Sequence, residues 1–121
     1  MIDLDHFKAY NDTHGHDGGD QLLREVAARW MQRLRPGDLL CRWGGEEFAV
    51  LLLNSAAEGA VSVAEDLHTL MPTGITCSIG VAEWDRRQSH LDVVREADTH
   101  LYAAKDAGRN RTHAAGLTHP L

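Results

Sequence analysis

The sequence has little of what marks a secreted or membrane-bound protein. It contains two cysteines and no apolar run long enough to cross a bilayer. It also shows no charged region followed by an apolar segment, which is the pattern of a secretion signal. We therefore expect a cytoplasmic, soluble protein without membrane contact. Cys41 and Cys77 both fall in predicted strands, where we expect buried free thiols rather than a disulfide.

Basic charge is also scarce. Lys and Arg total 12 against 18 Asp and Glu, which gives a formal net charge of −6. A polyanionic ligand must therefore be met by a local basic cluster or by a bound cation. This balance argues against a nucleic acid polymer and favours a small ligand bound with the help of a metal. The 121 residues, 43% of them hydrophobic and 25% charged, predict one globular domain over residues 1–121.

An acidic hairpin lies at the centre of the sequence pattern. Strands predicted at residues 39–43 and 48–53 flank Gly44-Gly45-Glu46-Glu47. Two adjacent glycines predict a two-residue turn, because glycine tolerates positive φ. Successive strand residues point to opposite faces, so Glu46 and Glu47 should diverge and one of them can face a ligand. The alternative is a hairpin tip that is only solvated. The second strand is apolar throughout, and we expect it to be central and covered on both faces.

The remaining elements follow from hydrophobic periodicity. The first five residues alternate as a short strand, which places Asp3 and Asp5 on one face. Asp5 can cap a short helix at residues 6–13. A glycine-rich loop at residues 15–20 should separate this helix from a longer one at residues 19–34. The other predicted elements are helices at residues 56–70 and 89–107, a strand at 75–82 with one face of small residues that can accept a closely packed helix, and a loose tail at 112–121 that can add a short edge strand.

This order of elements, with an antiparallel hairpin in the middle of the sheet, predicts an α+β domain of ferredoxin-like type rather than a doubly wound parallel sheet. In such a sheet the end of the first strand can lie beside the hairpin tip. Asp3, Asp5, Glu46 and Glu47 would then meet in one corner. Four carboxylates are tolerable there only with divalent cations between them, and oxygen ligands without Cys or His favour Mg²⁺ or Mn²⁺.

Five segments together resemble the GGDEF family of diguanylate cyclases over nearly the whole chain. They are Asp3-Leu4-Asp5-His6-Phe7-Lys8-x-x-Asn11-Asp12, Gly15-His16-x-x-Gly19-Asp20, Arg42-x-Gly44-Gly45-Glu46-Glu47-Phe48, Ser78-Ile79-Gly80-Val81 and Ala97-Asp98-x-x-Leu101-Tyr102-x-Ala104-Lys105-x-x-Gly108-Arg109-Asn110. The resemblance implies a nucleotidyl-cyclase palm-like fold with a central antiparallel sheet flanked by helices. It also implies that two GTP molecules are condensed into cyclic di-GMP, with release of pyrophosphate, across the face of a homodimer.

The resemblance also implies a role for each matching residue. Metal ions would be held by Asp3, the backbone carbonyl of Leu4 and Glu46, with Glu47 as a further candidate; the guanine edge would be read by Asn11 and Asp20; the phosphates would be contacted by His6, Phe7 and Lys8, and the terminal phosphates by Lys105 and Arg109. Glu46 is the natural candidate to take the proton of the attacking 3′-hydroxyl, although a metal-bound hydroxide could do so instead. Arg42 can help to neutralise charge in the transition state.

Some features depart from the family pattern. Complete members carry a helix before the first strand, and a sensor or receiver domain is expected upstream, whereas this chain starts after that helix. In the family, an R-x-x-D matching Arg35 and Asp38 binds the inhibitory product. The alternative is a turn in which both side chains face water. A further family arginine falls on Asp66 here, so we expect cyclic di-GMP to bind more weakly than at a complete site.

Two other functions stay open at this point. The chain could be a catalytically silent GGDEF-type receptor that binds GTP or cyclic di-GMP. It could also be a related cyclase or polymerase-like palm that uses another nucleotide, although the pair of Asn11 and Asp20 favours guanine.

Overall fold

The structure, a computed structural model, describes residues 1–116. The elements in chain order are β1 (Ile2–Leu4), α1 (Phe7–Arg33), β2 (Leu39–Gly44), β3 (Glu47–Leu51), α2 (Ala57–Thr69), β4 (Cys77–Val81), α3 (His90–Asp106) and β5 (Arg111–Ala114). Helices α2 and α3 and strand β4 lie where the periodicity predicted them. The predicted edge strand is also present as β5. The rest of the predicted loose tail, at 117–121, lies outside the described residues.

The five strands form one mixed sheet in the order β2-β3-β1-β4-β5. Neighbouring strands are antiparallel except for β4 and β5, which run parallel. The α+β prediction is confirmed. The hairpin β2-β3 lies at one edge of the sheet, however, and not in its middle as expected. The three-residue strand β1 is central because it pairs with β3 on one side and β4 on the other.

The main core lies between one face of the sheet and helices α1 and α2. It contains alternate residues of the inner strands, among them Ile2, Leu4 and Phe48. Trp30 of α1 is fully buried, donates its indole N–H to the carbonyl of Leu67 in α2 at 3.2 Å, and meets the Phe48 ring edge to face at 5.2 Å. This one side chain therefore joins both helices to the sheet.

Helix α1 replaces the two helices and the loop predicted for its sequence. A single non-helical residue, Gly15 with φ 78° and ψ 170°, kinks the helix where the loop was expected. The predicted N-cap is also wrong. His6 is the cap residue, with φ 57°, and none of the side chains that the structure describes caps this helix end, because the carboxyl of Asp5 is bound elsewhere.

The hairpin is more exposed than its apolar sequence predicted. Leu51 of β3 and Leu39, its neighbour across the pair, are both more than half exposed. Cys41 is exposed on β2, so a buried thiol was the wrong prediction for it, whereas Cys77 is buried. The hairpin is exposed because α3 packs against β4 and β5, at the opposite edge of the sheet, and does not cover β2 and β3. Both cysteines are free. None of the helices among residues 1–116 combines the length and the apolar character needed to cross a membrane.

Helix α3 lies very close to β4, as the small residues of that strand predicted. A Cβ on Gly80 would lie 2.1 Å from the carbonyl oxygen of Ala97 and 2.2 Å from the backbone nitrogen of Leu101. Both are backbone atoms that cannot move alone. Only glycine at this position permits the contact.

Gly80→Ala should therefore destabilise the protein by about 1–3 kcal/mol, because the added methyl group forces α3 away from the sheet. Urea unfolding measures the change. Gly59→Ala is the matched control, since Gly59 lies in α2 and a Cβ added there would point into open space. There alanine should be neutral or stabilising by up to about 1 kcal/mol. Equal stability of the two variants would contradict the close packing.

Candidate active site

The end of β1 and the hairpin turn are joined by backbone pairing. Asp3 is the register partner of Glu47, and the amide of Leu4 donates to the carbonyl of Glu46 at 3.4 Å. The expected meeting of these two segments is confirmed. The turn itself is shifted by one residue from the prediction. Gly44 pairs with Glu47, so the turn residues are Gly45, with φ 49°, and Glu46.

Arg42 is fixed to this turn. Its Nε donates to the carbonyl of Gly45 at 2.8 Å, across the β-bulge that separates Arg42 from Gly44 in the strand pair. This hydrogen bond holds the guanidinium at the hairpin tip, bound to the residue that directly precedes Glu46. Its role in a transition state stays a prediction.

Acidic groups crowd at this corner of the sheet. Burial raises the pKa of Asp3, the Lys105 ammonium opposes that rise, and the charge of Glu46 adds to it. Burial also raises the pKa of Glu47, and the charge of Asp3 adds to the effect. Lys105 reaches back from the last turn of α3, and its Nζ lies 2.5 Å from Oδ2 of Asp3. The corner therefore brings the carboxyl groups of Asp3, Glu46 and Glu47 close to the Lys105 ammonium, and the charge of Asp98 also acts on Glu47.

The Asp5 carboxyl is bound by other donors, contrary to the expectation of four carboxylates that share cations, although its charge still acts on Asp3. The carboxyl of Asp5 accepts hydrogen bonds from the hydroxyls of Thr76 and Ser78, each at 2.7 Å, and from the amide of Asn110 at 3.0 Å. With three donors on two oxygens, little capacity remains for a metal ion. The sequence pattern did not indicate Thr76, Ser78 and Asn110 as partners of Asp5. The available signal was the pair of hydroxyls, Thr76 and Ser78, on the small-residue face of the strand predicted at 75–82.

The oxygen donors suit a hard cation, although the side chains are not gathered around a point. Within residues 1–116, no group of three or more His, Cys, Asp and Glu side chains is arranged to hold a metal ion. Burial raises the pKa of Asp3 and of Glu47, and nearby carboxylates add to both rises: Glu46 for Asp3, and Asp3 and Asp98 for Glu47. A divalent cation would relieve that repulsion, and carboxylate oxygens are the ligands that Mg²⁺ and Mn²⁺ prefer. These residues fit the predicted metal chemistry.

The two candidate guanine-reading residues lie on α1, one on each side of the kink. The Oδ1 atom of Asn11 is buried and has no hydrogen-bond partner among the described residues. A Cβ on Gly19 would lie 1.7 Å from that oxygen, so the glycine leaves the space that the amide occupies. Asp20 follows directly and is exposed. An unpaired buried acceptor costs about 1–3 kcal/mol, which a ligand donor could recover.

The candidate phosphate-binding residues lie in two places, at the start of α1 and just beyond the end of α3. At the start of α1, His6 and Lys8 are exposed and Phe7 is half-buried. His6 and Phe7 line a cavity of about 280 Å³ that extends to Tyr10. Beyond α3, Arg109 is exposed and adopts a left-handed conformation with φ 64°. The helix ends at Asp106, so Lys105 and Arg109 do not share a helical face.

Arg35 and Asp38 bind each other and do not simply face water. The Arg35 amide donates to Oδ2 of Asp38 at 2.9 Å, and the Asp38 side chain is only 3% exposed. The Arg35 guanidinium also donates to Ser55 at 3.2 Å. Asp66, in place of the expected arginine, accepts from Nε of Arg33 at 2.6 Å. This carboxylate is therefore partly neutralised.

The architecture is thus an α+β sheet with an acidic corner at the end of its central strand. The family model for the diguanylate cyclase GGDEF domain matches residues 1–111. The chain is 42% identical over 125 residues to the probable diguanylate cyclase DgcC of Escherichia coli, an alignment that covers 95% of this chain and 34% of DgcC. The chain belongs to the diguanylate cyclase GGDEF domain family.

Solved structures show the same palm-like fold. The GGDEF domain of DgcB from Caulobacter crescentus in complex with c-di-GMP matches with a TM-score of 0.87 and 37% identity, over 96% of this chain and 75% of that chain. The active GGEEF domain of a diguanylate cyclase from Vibrio cholerae matches with a TM-score of 0.88 and 32% identity, over 97% of this chain and 81% of that chain. This chain spans about a third of the length of DgcC.

Replacing Glu47 by Gln should change how stability depends on pH. The raised pKa means that the folded state holds the proton more tightly than the unfolded chain does. Stability therefore falls as pH rises from the ordinary value of 4.5 through the raised value. The Glu47→Gln variant lacks this loss. It should be more stable than the wild type at about pH 8, and the difference should shrink at about pH 4.

Urea unfolding at both pH values, in buffer with EDTA, measures this effect. Asp17→Asn on the exposed surface of α1 is the control. A stability difference that does not vary with pH would contradict the crowding of charge at this corner.

Proposed function

We propose that this chain is a diguanylate cyclase domain that condenses two GTP molecules into cyclic di-GMP and two pyrophosphates. In each half-reaction, a 3′-hydroxyl of one nucleotide attacks the α-phosphorus of the other, a new P–O bond forms, and pyrophosphate leaves. The observation that best supports this proposal is the acidic corner. There Asp3 pairs with Glu47, next to the turn that contains Glu46 and to Lys105. The family membership supports the same reaction.

The residues of this corner have two kinds of role in the proposed reaction, metal binding and proton transfer. Asp3, Glu46, Glu47 and the Leu4 carbonyl would hold Mg²⁺ or Mn²⁺, which neutralises phosphate charge when bound. Glu46, on the turn, takes the proton of the 3′-hydroxyl. Arg42, held by its bond to Gly45, lies beside the developing negative charge.

Recognition of GTP uses α1 and the end of α3. The Asn11 amide and the Asp20 carboxylate pair with donor and acceptor groups on the guanine edge. His6, Phe7 and Lys8 contact the phosphates, and Lys105 and Arg109 bind the terminal phosphates. Lys105 pairs with Asp3 in this structure, so a cation bound at Asp3 would free its ammonium for this role.

The site serves one nucleotide, and two must meet for a cyclic product. We propose that two copies of the chain face each other as a homodimer, each with one GTP. An upstream sensor or receiver domain would control formation of this dimer. We expect the reaction to take place in the cytoplasm, where GTP is available. In Pseudomonas aeruginosa, the diguanylate cyclase SiaD is crystallised with its activator SiaC, which supports control by partners.

Glu46→Gln should abolish formation of cyclic di-GMP and leave the fold intact, because Glu46 is on a turn outside the core. Incubation with GTP and Mg²⁺, followed by nucleotide chromatography, measures the product. Glu58→Gln, on the exposed first turn of α2, is the matched control and should keep full turnover. A wild-type chain that binds GTP without forming product, alone and when extended at the N-terminus, would be a silent receptor.

Asp20→Ala should reduce the preference for GTP over ATP by about 1–3 kcal/mol, because a guanine donor loses its acceptor. Competition binding of the two nucleotides measures the preference. Asp17→Ala removes an exposed carboxylate three residues earlier on the same helix and should have no effect. Equal binding of GTP and ATP by the wild type would refute the guanine assignment.

We also propose that cyclic di-GMP binds at Arg35 and Asp38, more weakly than at a complete site. The exposed Arg35 guanidinium can bond and stack on guanine. Asp66 stands where a complete site has an arginine, and its carboxylate is only partly neutralised by Arg33. Calorimetric titration should show binding that Arg35→Ala removes and Asp66→Arg strengthens. Lys8→Ala, at the other site, should leave this binding in place. Binding that survives Arg35→Ala would contradict the assignment.

A further inference from the structure

Asp5 is a buried carboxyl that the proposed chemistry does not use. It follows β1 directly, two residues after Asp3, and is 9% exposed. Two of its hydrogen bonds come from hydroxyls of the neighbouring segment, Thr76 and Ser78. The third comes from the backbone amide of Asn110, 105 positions away in the chain. One carboxyl thus joins the end of β1 to the segment that follows α3.

That segment has an unusual backbone. Gly108, Arg109 and Asn110 have φ values of 120°, 64° and 50°. Residues other than glycine held in this region are strained, and they persist only where surrounding contacts determine their conformation. Strain of this kind concentrates at functional sites. A contact must therefore hold Arg109 and Asn110 in place.

Hydrogen bonds provide this support, among them one from Nε of Arg111 to the Arg109 carbonyl at 3.0 Å. Two of them start from the amides of the left-handed residues themselves. The amide of Arg109 donates to the carbonyl of Ala104 at 3.0 Å, which ties the segment to the last turn of α3. The amide of Asn110 donates to Oδ2 of Asp5 at 3.0 Å. The first bond fixes the segment to its own helix. The second fixes it to the strand that carries Asp3.

We propose that Asp5 is a positioning residue that sets the Arg109 guanidinium relative to the acidic corner. Asp5 itself touches no substrate. By holding the Asn110 amide, it fixes the left-handed segment, and with it the place from which Arg109 reaches the terminal phosphates. This inference rests on the proposed role of Arg109 in binding GTP. The two acidic residues of Asp3-Leu4-Asp5 then have different roles, because Asp3 would bind a metal ion and Asp5 positions the segment that carries Arg109.

A double-mutant cycle tests the inference. Asp5→Asn, Arg109→Ala and the double variant are compared with the wild type in calorimetric binding of GTP and of GMP, which lacks the terminal phosphates. Asp5→Asn should weaken GTP binding by about 3- to 20-fold, with GMP binding unchanged within about twofold. Added to Arg109→Ala, it should weaken GTP binding no further, because the group through which it acts is gone.

Two further variants exclude a general loss of stability. Val63→Ala truncates a core side chain of α2 and should lower stability without selective loss of GTP. An amide-to-ester replacement between residues 109 and 110 removes the N–H that donates to Asp5 and keeps every side chain; it also weakens the Arg109 carbonyl as an acceptor for Arg111. It should reproduce the selective loss of GTP binding, and it decides the question if Asp5→Asn does not fold.

The outcomes separate this inference from the proposed function. Equal loss of GTP and GMP binding on Asp5→Asn, or a full additional loss in the Arg109→Ala background, would overturn the positioning role and leave the proposed function standing. An ester variant that binds GTP normally would do the same. If Arg109→Ala binds GTP as well as the wild type does, the phosphate assignment fails and the inference fails with it.

Discussion

Backbone pairing of β1 along both of its edges is the constraint on which the rest of the structure depends. Ile2 and Leu4 enter the core, and Asp3 between them faces the opposite side, opposite Glu47 on one neighbour and Ser78 on the other. The side-chain period of a strand is two residues. A shift of one residue would place the Asp3 carboxyl in the apolar core and bring Ile2 and Leu4 to the acidic corner. The core and the acidic corner therefore depend on the same register.

The acidic corner is electrostatically unfavourable without a partner. Burial and mutual repulsion raise the pKa of Asp3 and Glu47, and Lys105 compensates only in part. The protein thus holds a site whose charge is suited to a cation and to the phosphates that a cation brings. Lys105 connects α3 to the acidic corner, because it lies in the last turn of that helix and its ammonium reaches Asp3 on the central strand.

Close approach of backbone segments brings the helices to the site. At Gly80 the missing side chain lets α3 lie against β4, and at Gly19 it leaves room for the amide of Asn11. Neither glycine has a positive φ, so both are required for space and not for backbone conformation. Packing of the helices, more than turn chemistry, thus determines where Lys105 and Asn11 stand.

Hydrophobic periodicity and motif spacing determined the helices α2 and α3, the strand β4 and the family, because these signals are local in the chain. Tertiary structure alone decided the place of the hairpin in the sheet, the exposure of Cys41 and the partners of Asp5. The sequence separates Asp5 from Asn110 by 105 positions, and no local pattern shows which distant donors a carboxyl will meet. Strand order and burial are set by pairings between distant segments, and these form only when the whole sheet assembles.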